Sequence, residues 1–283
     1  MSKKNIVGVF ICVLIFTFGF TVHGNVSMYF NLAGALIVIG GTFGAILVCY
    51  RVDQLWITFY VLLASYRSKV KEPEEIVEVL VDLSVKSRFK GILSLEEDEN
   101  ETTILFLRRA LGFLVDGLPS DYIRESLSTE MYFFKIRRED CERVLRNMSS
   151  FAPSFGLVGS VVGLIGMLAG VGDTATILKT VPIALTSTLY GVVLSNFFLS
   201  PFATIIEERT AQEILLQKII MEGVIAIGSE MDPRLLEHKL KSFITPSSRN
   251  IKLVSLKRIQ ERFNIKPKRT LQKSRPGAAL KTT

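Results

Sequence analysis

The chain has 283 residues, 48% of them hydrophobic and 22% charged, with a formal net charge of +7. The charges are so unevenly spread that no Lys, Arg, Asp or Glu occurs from Asn5 to Tyr50, from Asn147 to Gly172, or from Thr180 to Ile206. Each stretch exceeds the roughly 20 apolar residues that cross a ~30 Å hydrocarbon core, which excludes a soluble globular domain, a disordered chain and a secreted disulfide scaffold.

Lys3 and Lys4 precede the first apolar run, as in a signal peptide. No small-residue cleavage site occurs before His23, however, and a second run follows almost at once, so the first is read as a retained helix. The pattern predicts spans at 5–23 and 29–50, joined by a turn at His23-Gly24-Asn25, and at 151–171 and 181–206, joined by Val171 to Thr180. Between the pairs lie 100 residues, Arg51 to Ser150, with 15 Lys/Arg and 18 Asp/Glu. From Arg249 onward there are 11 Lys/Arg against Glu261, a charge of +10 that leaves −3 for everything before it. The positive-inside rule then places both termini and the large loop in the cytoplasm. The expected fold is an all-α membrane protein with four transmembrane helices in a 2+2 arrangement and a large helical cytoplasmic domain. Its segments are 1–50, 51–150, 151–206, 207–248 and a basic tail, 249–283. The tail lacks base-reading motifs and aromatic interleaving, so no nucleic-acid partner is expected. Near a membrane it would be drawn to an anionic leaflet.

Within the loop, Leu55 to Ala64, with Trp56 and Tyr60, is too short to cross and reads as an interfacial helix. Pro73 followed by Glu74 and Glu75 starts a helix that Ile76, Leu80 and Leu83 continue. Ile104, Leu107, Leu111 and Leu114 make a second stripe ending near Gly117, and Asp121 to Met148 is a long periodic run towards the third span. After the fourth span, Ile214, Ile219, Val224 and Ile227 predict a helix, and Asp232-Pro233 starts another.

The spans are as informative for what they lack. Intramembrane ionisable groups mark proton relays and ion sites, and none occurs here. Hydroxyls take their place: Ser160, Thr186, Ser187, Thr188, Ser195, Ser200 and Thr204. They can line a hydrated path but cannot hold a proton at ordinary pH, so any carboxylate must come from another polypeptide. Taken singly, each hydroxyl is equally suited to interhelical packing. Gly159/Gly163 and Gly166/Gly170 in the third span, and Gly40/Gly44 in the second, have the spacing that lets helices approach closely. Pro153 and Pro201 each remove a backbone donor and either mark a helix boundary or leave a carbonyl for other partners. Cys12, Cys49 and Cys141 show no metal-site spacing, and His23 and His238 are far apart in topology. No catalytic motif emerges, and the chain is not read as an enzyme.

Three strings carry a family resemblance. The loop holds Ser87-Arg88-Phe89-Lys90-Gly91-Ile92-Leu93-Ser94-Leu95-Glu96-Glu97, then Leu114-Val115-Asp116-Gly117. The third span opens Ala152-Pro153-Ser154-Phe155-Gly156-Leu157-Val158-Gly159-Ser160. The fourth reads Ala184-Leu185-Thr186-Ser187-Thr188-Leu189-Tyr190-Gly191, then Leu194-Ser195-Asn196 and Ser200-Pro201. Over residues 5–245 the chain resembles the MotA/PomA family of flagellar motor stator proteins. The resemblance implies an inner-membrane pentamer around a dimer of single-span, peptidoglycan-binding MotB/PomB-type partners, whose aspartate binds the ion. It implies H⁺ or Na⁺ as the transported ion, no cofactor and no metal, and torque delivered to the rotor protein FliG. By position, Arg88, Lys90, Glu96, Glu97 and Glu99 match the rotor-facing charges. Pro153 and Pro201 match the prolines that shape the ion path, and Ser160, Ser187 and Thr188 match positions lining it.

Three departures bear on the ion: Ser160 and Ser187 stand where sodium-type relatives commonly carry Thr, and Asn31 where they carry Asp. The hydroxyls remain, so both ions stay open. Phe89 interrupts the basic pair of some relatives. A TolQ/ExbB-like energiser is the alternative, although such proteins usually have three spans and an external N-terminus. A non-conducting scaffold built on glycine packing is a third reading.

Overall fold

The computed structural model describes residues 29–67, 71–171 and 173–244, together with Ile11, Leu14, Ile15 and residues 17–19. Regular structure among the described residues is helical throughout. The expected first span lies outside the described residues except for the six positions just named, which are helical. The turn at residues 23–25 and the basic tail also lie outside them.

Helix α1 spans Leu32–Cys49. Asn31 starts it from an extended conformation, its side-chain oxygen accepting the Gly34 N–H at 2.9 Å. This satisfies one of the amides that a helix start leaves without an intrahelical partner. After Arg51 the chain turns into α2, Val52–Arg67, which buries Thr58, Leu62 and Ser65 and exposes Trp56, Phe59 and Tyr60. The predicted Leu55–Ala64 helix therefore exists and extends three residues further at each end.

Pro73 occupies the first turn of α3, Pro73–Lys90, with Glu74 and Glu75 at its positive end. The helix stops at Gly91, whose φ of +86° suits a residue without a Cβ. A 3-10 turn, Ile92–Leu95, leads into the short acidic α4, Glu96–Glu101. Arg108 donates to the carbonyls of Glu99, Asn100 and Thr102, so a guanidinium closes the C-terminal end of α4. Then come α5, Leu105–Val115, and the 50-residue α6, Ser120–Ala169.

Helix α7, Thr174–Val193, begins seven residues before the expected fourth span, capped by the Asp173 side chain, and takes in Lys179. Six residues, Leu194–Leu199, form a wide π turn before α8, Ser200–Gly228. Helix α9, Pro233–Lys241, starts where Asp232-Pro233 predicted, with the Asp232 carboxylate accepting the Arg234 N–H at 3.0 Å.

The chain divides into two compact units, residues 1–70 with 128–214 and residues 71–127 with 215–283. In the first, Ile46 of α1, Leu62 of α2, Val144 and Met148 of α6, and Leu199, Ala203 and Ile206 form one buried cluster. In the second, Leu80 of α3, Leu111 of α5, Ile123 of α6, Ile219 and Val224 of α8, and Leu236 of α9 are buried.

The first unit is apolar outside and hydroxyl-bearing inside. Leu36, Leu157, Ile165, Leu168, Leu178 and Leu185 are each more than 60% exposed, while Thr42, Thr186, Ser187 and Ser195 are buried. Water would not support that inversion, whereas lipid or a neighbouring helix does. Three helical stretches among the described residues, Leu32–Cys49, Ser120–Ala169 and Thr174–Gly228, are long and apolar enough to cross a membrane.

Candidate functional site

In the first unit, α6 and α7 run antiparallel at a separation set by glycine. A Cβ on Gly159 would stand 2.5 Å from the Ser187 side chain, and one on Gly163 would stand 2.6 Å from the Ala184 amide nitrogen. One on Gly191 would stand 2.5 Å from the Ala152 carbonyl oxygen. The small-residue spacing of the third span thus has its partner within the chain. At Gly40 and Gly44 no described atom outside their own helix lies within 4 Å of a Cβ.

Close approach lets hydroxyls bond across the seam. Ser160 Oγ donates to the Ala184 carbonyl and lies 2.5 Å from Thr188 Oγ1. Each hydroxyl has one proton, so with that of Ser160 committed to Ala184, the Thr188 hydroxyl is the donor between the two, with the Gly156 carbonyl at 3.5 Å as its other acceptor. Ser187, fully buried, faces the same seam but donates to its own helix, to Ile183 O at 2.6 Å. It also packs against Gly34 of α1, where a Cβ would stand 2.8 Å from the Ser187 oxygen. Of the predicted path residues, Ser160 and Thr188 therefore meet in one contact, and Ser187 faces the same seam without bonding to either.

Pro153 lies inside α6 rather than at a helix boundary and faces the same seam, its Cα 3.1 Å from a Cβ placed on Gly191. Pro201 does not join them and is exposed, directly after the wide turn and in the first turn of α8. The turn closes with the Ser200 N–H donating to Ser195 O, five residues back. Burial then recurs every four residues along this strand of the hairpin, at Ser187, Gly191, Ser195, Leu199 and Ala203. Four residues overshoot a regular 3.6-residue turn, and a wider turn takes up the drift. The sequence reading missed this turn and also Pro182, which lies within α7.

At the other side of α7, Tyr190 ties α1 to the hairpin. The Asn31 N–H donates to its hydroxyl at 2.7 Å, and that hydroxyl donates to the Tyr29 carbonyl. Asn31, noted in the sequence as a departure from sodium-type relatives, acts here as a helix cap. No signal in the sequence identified Tyr190 as its partner.

The charged residues of the loop lie in the second unit and are unequal. Arg88 is half-exposed and pairs with Asp232 at 2.9 Å. The Arg234 amide, then the Arg88 guanidinium, hold the Asp232 carboxyl below its ordinary range. Lys90, Glu96 and Glu97 are exposed, and Lys90 lines two cavities of about 390 and 370 Å³. Glu99 is half-buried, with its carboxylate 3.0 Å from a Cβ placed on Gly112.

Two residues that the sequence reading passed over hold this surface together. Lys86 is 7% exposed and bonds Asp98 at 2.6 Å and Glu97 at 3.4 Å. Burial pulls its ammonium down, but Asp98 and then Glu97 outweigh that and hold it above the ordinary lysine value. Its place in an alternating helical face gave no sign that it turns inward. Among the described residues no cluster of three His, Cys, Asp or Glu is arranged to hold a metal ion.

Residues 98–218 match the MotA/TolQ/ExbB proton channel family. The chain is 30% identical to chemotaxis protein PomA of Vibrio alginolyticus over 230 residues, which cover 81% of this chain and 90% of that one. It is also 30% identical to motility protein A of Treponema phagedenis over 249 residues, 88% of this chain and 96% of that one. In three dimensions it resembles a chain of MotAB from C. jejuni, with a TM-score of 0.81 at 23% identity, over 89% of this chain and 99% of that one. It resembles a chain of the flagellar MotAB stator complex from Bacillus subtilis with a TM-score of 0.79 at 24% identity, over 88% and 98%.

Proposed function

The chain belongs to the MotA/PomA family of flagellar motor stator subunits, and from that premise we propose how its residues divide the work. The hydroxyl seam of Ser160, Ser187 and Thr188, with Pro153 and Pro201, lines a path for H⁺ or Na⁺ through the inner membrane. The observation that carries this reading is the Ser160–Thr188–Ala184 contact across the two helices. It is a cluster of oxygens inside an apolar exterior, without a fixed charge. Hydroxyls and carbonyls can exchange their bonds for water or a hydrated cation, but cannot bind a proton as carboxylate does. The missing acid comes from a single-span, peptidoglycan-binding partner of the MotB/PomB type. That assignment agrees with the relatives in MotAB complexes.

The assembly we propose is a ring of five copies around a partner dimer, each copy with four spans in a 2+2 arrangement and both termini in the cytoplasm. The second unit then faces the rotor protein FliG, and Arg88, Lys90, Glu96, Glu97 and Glu99 form its charged surface. No cofactor or resident metal is involved. The TolQ/ExbB-like alternative has less support, because relatives matched over most of the chain include chemotaxis protein PomA and motility protein A.

Deleting the gene in the source organism tests the assignment. The expected cells carry complete filaments and do not swim, and the wild-type gene restores motility. A gene carrying Arg88→Glu, Glu96→Lys and Glu97→Lys together restores complex assembly without torque. Full rotor binding and swimming speed in that triple variant would refute the assignment of the charged surface. An outer-membrane defect with normal swimming would refute the stator reading itself.

A further inference from the structure

A proline inside a helix leaves the carbonyl four residues earlier without its backbone donor. In α6 the proline is Pro153, and the carbonyl is that of Ser149. The hairpin supplies a replacement. Ser195 Oγ lies 2.7 Å from the Ser149 carbonyl oxygen and 2.8 Å from Ser149 Oγ. With the Ser195 proton on the carbonyl, the second bond is the Ser149 hydroxyl donating to Ser195 Oγ, and both protons are accounted for. Ser195 is 5% exposed, so water competes weakly for these bonds. Ser195 is the second residue of the wide turn and lies on the buried stripe with Ser187 and Gly191.

We propose that Ser195 is a positioning residue for ion passage: its hydroxyl stands in for the N–H that Pro153 lacks, and that bond fixes the two halves of the hairpin at the end of the oxygen seam. The register of the contacts places the pair one turn beyond Ala152 and Gly191, in line with Ser160 and Thr188. A bond within α6 would stiffen one helix; this bond couples α6 to the wide turn before α8. When it opens, Ser149 O, Ser149 Oγ and Ser195 Oγ are released together to water or a hydrated cation. The link to ion passage rests on the reading of Pro153 as part of the ion path.

The test uses the full chain with its own partner, and four variants: Ser195→Ala, Ser195→Thr, Pro153→Ala and the double Pro153→Ala/Ser195→Ala. Two readouts are needed: motor rotation rate at low load, and the melting temperature of the purified complex. Leaving a buried carbonyl unpaired shifts an equilibrium by about tenfold. Ser195→Ala is therefore expected to slow rotation about threefold to tenfold, and Ser195→Thr, which retains a donor, to recover most of the rate. In the Pro153→Ala background the residue-153 amide can serve Ser149 O, so adding Ser195→Ala lowers the melting temperature no further. If Ser195→Ala does not assemble alone, recovery of the complex in the double variant gives the same answer. Equal losses from Ser195→Ala in both backgrounds, or a Thr variant as slow as the Ala variant, would overturn the proposal. Full rotation rate in Pro153→Ala would sever the bond from ion passage, and the melting-temperature cycle would still report on the bond itself.

Discussion

Replacing Gly163 by Ala adds one methyl group where the hairpin has no room for it. The new Cβ would stand 2.6 Å from the Ala184 nitrogen and 2.8 Å from the Ala184 Cα, against an ordinary contact of 3.4–4 Å. Both neighbours include backbone atoms that cannot rotate away, so α6 and α7 must separate by about 1 Å, at an overpacking cost of about 1–3 kcal/mol. That movement stretches the 2.5 Å Ser160–Thr188 contact to the limit of a hydrogen bond and weakens the Ser160–Ala184 bond. Their loss adds about 2 kcal/mol. Ala gains about 1 kcal/mol over Gly in helix propensity. The net loss is then about 3 kcal/mol, roughly a hundredfold in the balance between packed and separated hairpin. The assay is the yield and melting temperature of the purified complex, together with swimming speed of cells carrying the variant. Gly44→Ala is the control, since its Cβ meets nothing within 4 Å among the described residues. A Gly163→Ala complex that assembles, melts and drives swimming like the wild type would refute the argument that this glycine sets the seam.

Glu222 is 10% exposed and bonds Arg124 at 2.6 Å and Lys239 at 2.8 Å. Burial alone would raise its carboxyl, but the two cations outweigh it and hold the group at about 2 against an ordinary 4.5. The difference corresponds to about 3 kcal/mol, reduced to about 1–2 kcal/mol by water around the partly exposed cations. Because the folded value is the lower one, this stability is present above about pH 4.5 and is lost as pH falls towards 2. Glu222→Gln should therefore melt lower than wild type at neutral pH and lose less on acidification; parallel melting curves across that range would contradict the pairing. Asp98→Asn, which strands buried Lys86, should lower stability to denaturant by about 3 kcal/mol, whereas Glu97→Gln at the exposed end should cost under about 1 kcal/mol. Equal losses would mean that Lys86 does not depend on Asp98. Asp232→Asn keeps a capping oxygen for α9 and releases Arg88 from its ion pair. Motility should survive that change and fall with Arg88→Gln; a similar fall in both would place the role of Arg88 inside the chain rather than at the rotor.

What the sequence made legible was whatever depends on local chemistry. Pro73-Glu74-Glu75 and Asp232-Pro233 start helices, because a ring that presets φ and a carboxylate near free amides act within one turn. The glycines of the third span could be assigned to close packing, but not to a partner, since spacing on one helix is silent about the other. Gly40 and Gly44 carry the same spacing and meet nothing within 4 Å among the described residues. Lys86 was read over because a buried lysine differs from a solvated one only through an acid 12 residues away in the chain. The wide turn at Leu194–Leu199 was invisible for a related reason: no residue type requires it, and it follows from keeping a four-residue stripe in register against α6. Ser160, Ser187 and Thr188 were singled out by type and by resemblance. Their different bonds, two across the seam and one back into its own helix, came from packing.

The absence of fixed charge between Thr180 and Ile206, and from Asn147 to Gly172, is itself a physical constraint on how such a chain can work. A charged residue at the middle of a spanning helix costs about 2.5–3.5 kcal/mol on insertion scales, and each added copy in a ring would repeat that cost. Oxygens held in bonds to one another avoid it. The Ser160–Thr188 pair and the Ser149–Ser195 pair keep their protons satisfied within the hairpin. Glycine makes the first pair possible by closing the distance between helices, and proline makes the second useful by leaving an oxygen that needs a donor. A chain arranged in this way can open and close at small energetic cost but has no strong attraction for a cation. On the proposed stator reading, the charge that draws the ion in would come from the partner rather than from each copy of this chain.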